Sequence, residues 1–122
     1  MNVKDFWRQV LAQRAETIRP YFCPDAVIQW PCTNECFTLE EYLQANCDYP
    51  GQWKGEVEHV YEGNDAILTL TRVFAKDGSM SCHVTSLFEI SGGKIVFLKE
   101  YWADDGPPPP WRQAMRLGRP IR

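Results

Sequence analysis

The sequence predicts a single α+β domain, and three observations carry that prediction. The first half holds two stretches with helical apolar spacing, one of them opened by a complete capping signal. Residues 53–102 hold four extended runs rich in β-branched and aromatic residues, with glycine-bearing turn pairs between them. The length, 122 residues, suits one domain that buries a core without metal or disulfide staples. The domain is placed at residues 1–110 and a C-terminal tail at residues 111–122.

The first helix is expected over residues 3–17, where Val3, Phe6, Trp7, Val10, Leu11 and Ala15 form one apolar stripe. Pro20 ends it, because the residue before a proline leaves the helical region. A short turn or helix, Pro20 to Cys23, precedes an extended run, Ala26 to Trp30, that Pro31 stops. Thr38 and Glu41 match a capping box, so a helix should run to about Asn46 and bury Leu39, Tyr42 and Leu43. Four antiparallel strands follow near 53–61, 65–75, 80–90 and 94–102. Gly63-Asn64, Asp77-Gly78 and Gly92-Gly93 are the turns between them. Gly106 to Pro110 reads as a stiff polyproline spacer, with Trp111 behind it as an anchor.

Composition excludes several classes. The net charge of −3 and pI near 5.3 argue against a nucleic-acid binder, which usually carries a basic face. The basic tail from Arg112 to Arg122 reads as a solvated terminus. No stretch reaches the roughly 18 apolar residues of a membrane span. The N-terminus spreads its charges evenly and does not read as a secretory leader, so the expected location is cytoplasmic. Five cysteines, an odd number, fit free thiols in a reducing compartment. No glycine-rich phosphate loop, dinucleotide fingerprint or zinc-protease signature is present, and neither a cofactor nor a metal is expected.

The turns assign partners across the strands. Asp77-Gly78 sets Arg72 opposite His83 and Leu70 opposite Thr85. Gly92-Gly93 sets His83 opposite Trp102, Thr85 opposite Glu100 and Leu87 opposite Leu98, and Gly63-Asn64 sets His59 opposite Leu68 and Val57 opposite Leu70. Alternation then gathers Val57, His59, Leu70, Arg72, His83, Thr85, Glu100 and Trp102 on one face. Thr71, Val84, Ser86, Phe88 and Tyr101 fall on the other. Both faces are apolar, so one should pack on the helices and the other on a second copy, as a homodimer. Arg72, His83 and Glu100 among leucines suggest a pocket lining, because unpaired burial of such groups is costly.

This order of elements resembles the nuclear-transport-factor-2-like (NTF2-like) superfamily. Within it, the chain is most similar to the polyketide-cyclase-like (SnoaL-like) and ketosteroid-isomerase-like branches. The resemblance is carried by Tyr21 to Pro31, by Gly93 to Val96, and by Glu100 to Asp104. These segments match the patterns F-x-x-D-A-x-x-x-x-P, G-K-I-x and Y-x-x-D. The resemblance implies a cone-shaped fold, with three N-terminal helices packed on a strongly curved antiparallel sheet and a pocket between them. Its members include isomerases, dehydratases, cyclases, epoxide hydrolases and proteins that only bind. Trp30 stands where ketosteroid isomerases place a general-base aspartate, and Ser86 stands where they place the oxyanion-hole acid. The polyketide-cyclase-like aspartate after the last strand maps to Asp104, with Asp105 as the alternative. The histidine–aspartate pair of the dehydratases would fall to His83 with Asp104 or Glu100.

The candidate catalytic groups are therefore His83, Asp104 and Glu100. The candidate ligand contacts are Arg72, Trp30, Tyr42, His59, Thr85 and Trp102. The expected partner is a small apolar or aromatic molecule, with a carbonyl or carboxylate that Arg72 could hold. The expected chemistry is cofactor-free proton transfer, in the form of isomerisation, dehydration or cyclisation. The competing expectations are a ligand-binding protein without chemistry and a dimeric protein-interaction module.

Overall fold

The computed structural model describes residues Met1–Arg122. Helix α1, Val3–Ala12, is capped by the Asn2 side chain, which accepts from the Asp5 amide. Its stripe of Val3, Phe6, Trp7 and Val10 is buried. The expected single helix over 3–17 is broken at Gln13, which takes the left-handed conformation (φ 58°) that closes a helix end. The chain restarts as α2, Ala15–Ile18, and leaves through a 3₁₀ turn at Arg19–Tyr21.

Strand β1, Phe22–Trp30, turns at Pro31–Thr33 into a short edge strand, β2, Glu35–Thr38. Helix α3, Leu39–Cys47, begins with the complete capping box of Thr38 and Glu41. Strands β3 (Trp53–Glu62), β4 (Ala66–Ala75), β5 (Ser81–Ser91) and β6 (Lys94–Asp104) follow as hairpins. A last short helix, α4, Pro110–Ala114, lies on the surface. No helix is long and apolar enough to cross a membrane.

The six strands form one sheet in the order β2-β1-β6-β5-β4-β3. This corrects the expected strongly curved antiparallel sheet in two ways. The β1–β6 pair is parallel, because helix and strand elements intervene between them. The sheet is also open, with β2 and β3 as its two edge strands, and it is not strongly curled or closed. The α+β class holds, with the helices laid across one face. Strong curling needs bulges or glycine kinks repeated across neighbouring strands. Here each affected ladder carries one isolated register shift.

Two of those shifts decide which face each side chain takes. Ser91 and Ile90 pair with Lys94 and Ile95, as the Gly92-Gly93 turn requires. Beyond Val96 the register slips by one residue, so Glu100 lies opposite Ser86, and Trp102 opposite Val84. In β3 the expected partners are corrected: His59 lies opposite Leu70 rather than Leu68, and a slip at Glu58 puts Val57 opposite Thr71 rather than Leu70. The β4–β5 ladder follows the expected register, with Arg72 opposite His83.

The helix-covered face holds the core. Phe6 meets Trp7, Tyr21, Phe22 and Phe88 edge to face, at ring separations of 5.4–6.2 Å. Trp7 donates its indole N–H to Thr69 Oγ1 at 3.3 Å, tying α1 to β4. Gly55 lets α1 approach β3, since a Cβ there would lie 2.8 Å from the Arg72 carbonyl oxygen and 2.9 Å from Leu11 Cδ1.

Candidate functional site

Between α1, the end of α3, the β1–β2 turn and the ends of β3 to β6 lies a cavity of about 320 Å³. Its walls include Trp7, Trp30, Trp53, Trp102 and Tyr49, so four of the chain's five tryptophans meet in one place. The indoles stand nearly at right angles to one another. Trp7 and Trp30 each approach Trp102 at 6.3 Å, with interplanar angles of 68° and 73°. Tyr49 and Trp53 form a second corner at 5.4 Å and 71°. The rings are pinned, because Trp30 donates to Glu100 Oε1 at 3.2 Å and Trp53 donates to the Pro50 carbonyl at 3.1 Å. A larger depression of about 700 Å³, between Met1–Lys4 and the middle of β3, is shallow and open to solvent.

Glu100 sits behind the aromatic wall rather than in it. It is 2% exposed, and its carboxyl accepts from Ser86 Oγ at 2.7 Å and from Trp30 Nε1 at 3.2 Å. Burial pushes its pKa up to about 7, against the pull of those two hydrogen bonds. Tyr42, fully buried, has its phenol pushed well above its ordinary value by burial and by the nearby Glu100 charge. Asp104 lies two residues beyond Trp102 on β6, at the exposed rim of the cavity. Across from it, burial raises the Cys82 thiol to about 11, with Asp104 and Asp105 adding to the shift, so this cysteine is a poor nucleophile. Two buried polar atoms lack partners, Trp102 Nε1 and Thr71 Oγ1.

The register slip at Val96 divides the expected cluster. Glu100 and Trp102 turn to the helix-covered side with Ser86, joining Trp30 and Tyr42. Arg72, His83, Thr85 and His59 remain on the opposite, half-exposed face. The expectation that Arg72, His83 and Glu100 share one face is thereby corrected: a single inserted residue inverts β6 relative to β5. Arg72 instead lies over the Phe74 ring at 4.6 Å, as a cation–π contact. His83 bonds through Nδ1 to Asp105, which also accepts from Ser81 Oγ at 2.6 Å. Burial opposes the ionisation of Asp105, but the Ser81 and His83 hydrogen bonds outweigh it and hold the carboxyl below its usual range. Arg122 from the tail reaches both Glu58 and His83 Nε2 at 3.2 Å. This second cluster is partly exposed to solvent, and its Glu58 borders the open depression beside β3.

Sequence reasoning treated Trp7 as core and gave Trp53, Tyr49 and Glu35 no role. Trp7 stands on the α1 stripe, where a wall residue and a core residue have the same spacing. Trp53 and Tyr49 flank a turn, and nothing local aims them at α1.

A scan against protein-family models returns no match, and a search of curated proteins returns none either. Solved structures do match. A candidate ketosteroid isomerase from Kribbella flavida superposes with a TM-score of 0.81 at 19% identity, covering 98% of this chain and 87% of that one. An NTF2-like protein of unknown function from Burkholderia xenovorans gives 0.78 at 18% identity, covering 98% and 92%. A protein of ketosteroid-isomerase-like fold from Catenulispora acidiphila, in complex with trimethylamine, gives 0.61 at 10% identity, covering 73% and 75%. A candidate SnoaL-like polyketide cyclase from Shewanella putrefaciens also matches, with a TM-score of 0.67 at 8% identity, covering 82% of this chain and 85% of that one. The chain thus has the fold of the NTF2-like superfamily, which includes SnoaL-like and ketosteroid-isomerase-like members.

Proposed function

We propose that this protein binds one small, mostly apolar molecule in the cavity walled by Trp7, Trp30, Trp53 and Trp102. The observation that carries this reading is the convergence of four tryptophans on about 320 Å³ of unfilled space. A core built for stability alone closes such a space, because its lining loses dispersion contacts. The trimethylamine complex of a protein with this fold supports small-molecule binding at the level of the fold. The test is titration with N-phenyl-1-naphthylamine, a neutral fluorescent probe, excited through tryptophan. Saturable uptake of one probe per chain is expected, with strong energy transfer that Trp53→Ala weakens. A linear, unsaturable signal defeats the proposal.

A second reading, cofactor-free proton transfer, is favoured by the two carboxyl groups on one face of β6. Glu100 and Asp104 flank Trp102 at alternate positions, and Glu100 titrates near neutrality, where a general acid or base works best. It ranks second because Trp30 covers Glu100 and no substrate atom reaches the carboxyl without moving that ring. Isomerisation, dehydration and cyclisation each need only such a proton carrier.

The outer sheet face is the natural contact between two copies of the chain. Leu68, Leu70, Leu87, Phe97 and Val27 lie half-buried or exposed there, an apolar surface broad enough for a homodimer. Sedimentation equilibrium should give twice the 14.1 kDa chain mass, falling to one chain for Leu70→Lys. A native chain that sediments as a monomer rules the pairing out.

A further inference from the structure

The chemistry of the cavity wall constrains the ligand further than its size does. The only acidic or basic residues lining it are Glu35 and Asp104, and no lysine, arginine or histidine is among the lining residues. Arg72 and His83 face the far side of the sheet. A third carboxyl, that of Glu100, lies just behind Trp30. An anionic ligand would meet carboxylates of its own sign and find no cation to offset them.

Neutral donors are also scarce. The Gln13 side-chain amide already donates to the carbonyls of Asn46 and Tyr49, and the Asn46 amide donates to the Val10 carbonyl. The indole N–H groups of Trp7, Trp30 and Trp53 are bound to Thr69, Glu100 and Pro50. With those edges engaged elsewhere, ring faces and carbon edges are what these side chains offer. Ring faces carry the negative end of the aromatic quadrupole, and indole is the best of them for holding a cation. Indoles set at about 70° to one another make a corner that can touch a rounded cation from several sides.

We propose that the cavity binds an organic cation, a quaternary ammonium group on a small body. The indoles surround the ammonium, and Glu35 and Asp104 supply opposite charge at the rim. Glu35 is held for this role by the Thr33 hydroxyl, which donates to Oε1 at 2.7 Å. An ammonium with no N–H to satisfy suits such walls, because it needs no hydrogen bond to leave water. This proposal rests on the cavity being the ligand site, and the experiment separates the two claims.

The test is calorimetric titration of the full chain with choline and with 3,3-dimethylbutan-1-ol, in which a carbon replaces the charged nitrogen. Both carry the same hydroxyl and nearly the same shape. Choline is expected to bind at least tenfold more tightly. The double variant Glu35→Gln, Asp104→Asn should reduce that preference several-fold. Both positions are exposed, and the replacements keep their shape, so folding is not at stake. If the alcohol binds as well as choline, the cation inference is overturned and the ligand site stands. If neither saturates while N-phenyl-1-naphthylamine does, the result is the same. If all three fail to bind, both claims fall.

Discussion

Removing the charge from Glu100 should change how the stability of this protein depends on pH. Its folded pKa lies at about 7, against an ordinary value of 4.5, because the carboxyl is fully buried. Between those values the unfolded chain has released the proton and the folded chain still holds it. Stability then falls as pH rises, by ~1.4 kcal/mol per unit, and levels off above the folded pKa. The whole window costs on the order of 3 kcal/mol. Glu100→Gln keeps the shape and both partners, since its carbonyl can accept from Trp30 and its amide can donate to Ser86 Oγ. Urea unfolding of both proteins, followed by circular dichroism from pH 4.5 to 8.5, isolates the contribution as a difference. The native chain should lose stability relative to Glu100→Gln across that range, with the variant the more stable of the two at pH 8. A difference that stays constant with pH would refute the reasoning, since it would mean that Glu100 titrates normally in the fold. A difference of opposite slope would mean that its hydrogen bonds outweigh its burial.

Other substitutions test separate parts of the structure. Gly55→Val should destabilise by ~1–3 kcal/mol in the same unfolding assay, because the new Cβ meets a backbone carbonyl that cannot move aside. Thr38→Ala should cost ~1 kcal/mol by removing one half of the α3 capping box, and Thr38→Ser should restore most of it. His83→Gln should leave probe affinity in the cavity within about twofold of the native value, since His83 lies across the sheet from it. A tenfold loss would show that the two faces are coupled.

The outcome at His83 bears on what the sequence could reveal. The β4–β5 register was legible because Asp77-Gly78 fixes one turn and no residue is inserted after it. The β5–β6 register was legible only as far as Ile95. Val96, the inserted residue, sits between Ile95 and Phe97, and all three are apolar. Neither face of this sheet is polar enough to penalise the wrong register, so no pattern marks the slip. Strand β2 was hidden for a related reason. Glu35, Cys36, Phe37 and Thr38 form a short edge strand whose pairing comes from β1, and Asn34 before it reads as loop.

The aromatic cavity was illegible for a different reason, which also explains why it can exist. Trp7, Trp30, Trp53 and Trp102 lie on four separate elements, and only α1 crossing the sheet brings them together. Trp102 arrives there because of the slip at Val96; in the unshifted register it would face outward beside His83. The same slip turns Glu100 inward to Ser86, where burial makes its carboxyl titrate near neutrality. One inserted residue therefore sets both the third wall of the indole corner and the buried acid behind it. Bulges placed beside binding sites re-aim side chains in this way. Deleting Val96 should return Trp102 and Glu100 to the outer face and abolish probe binding, while β4 and β5 keep their pairing.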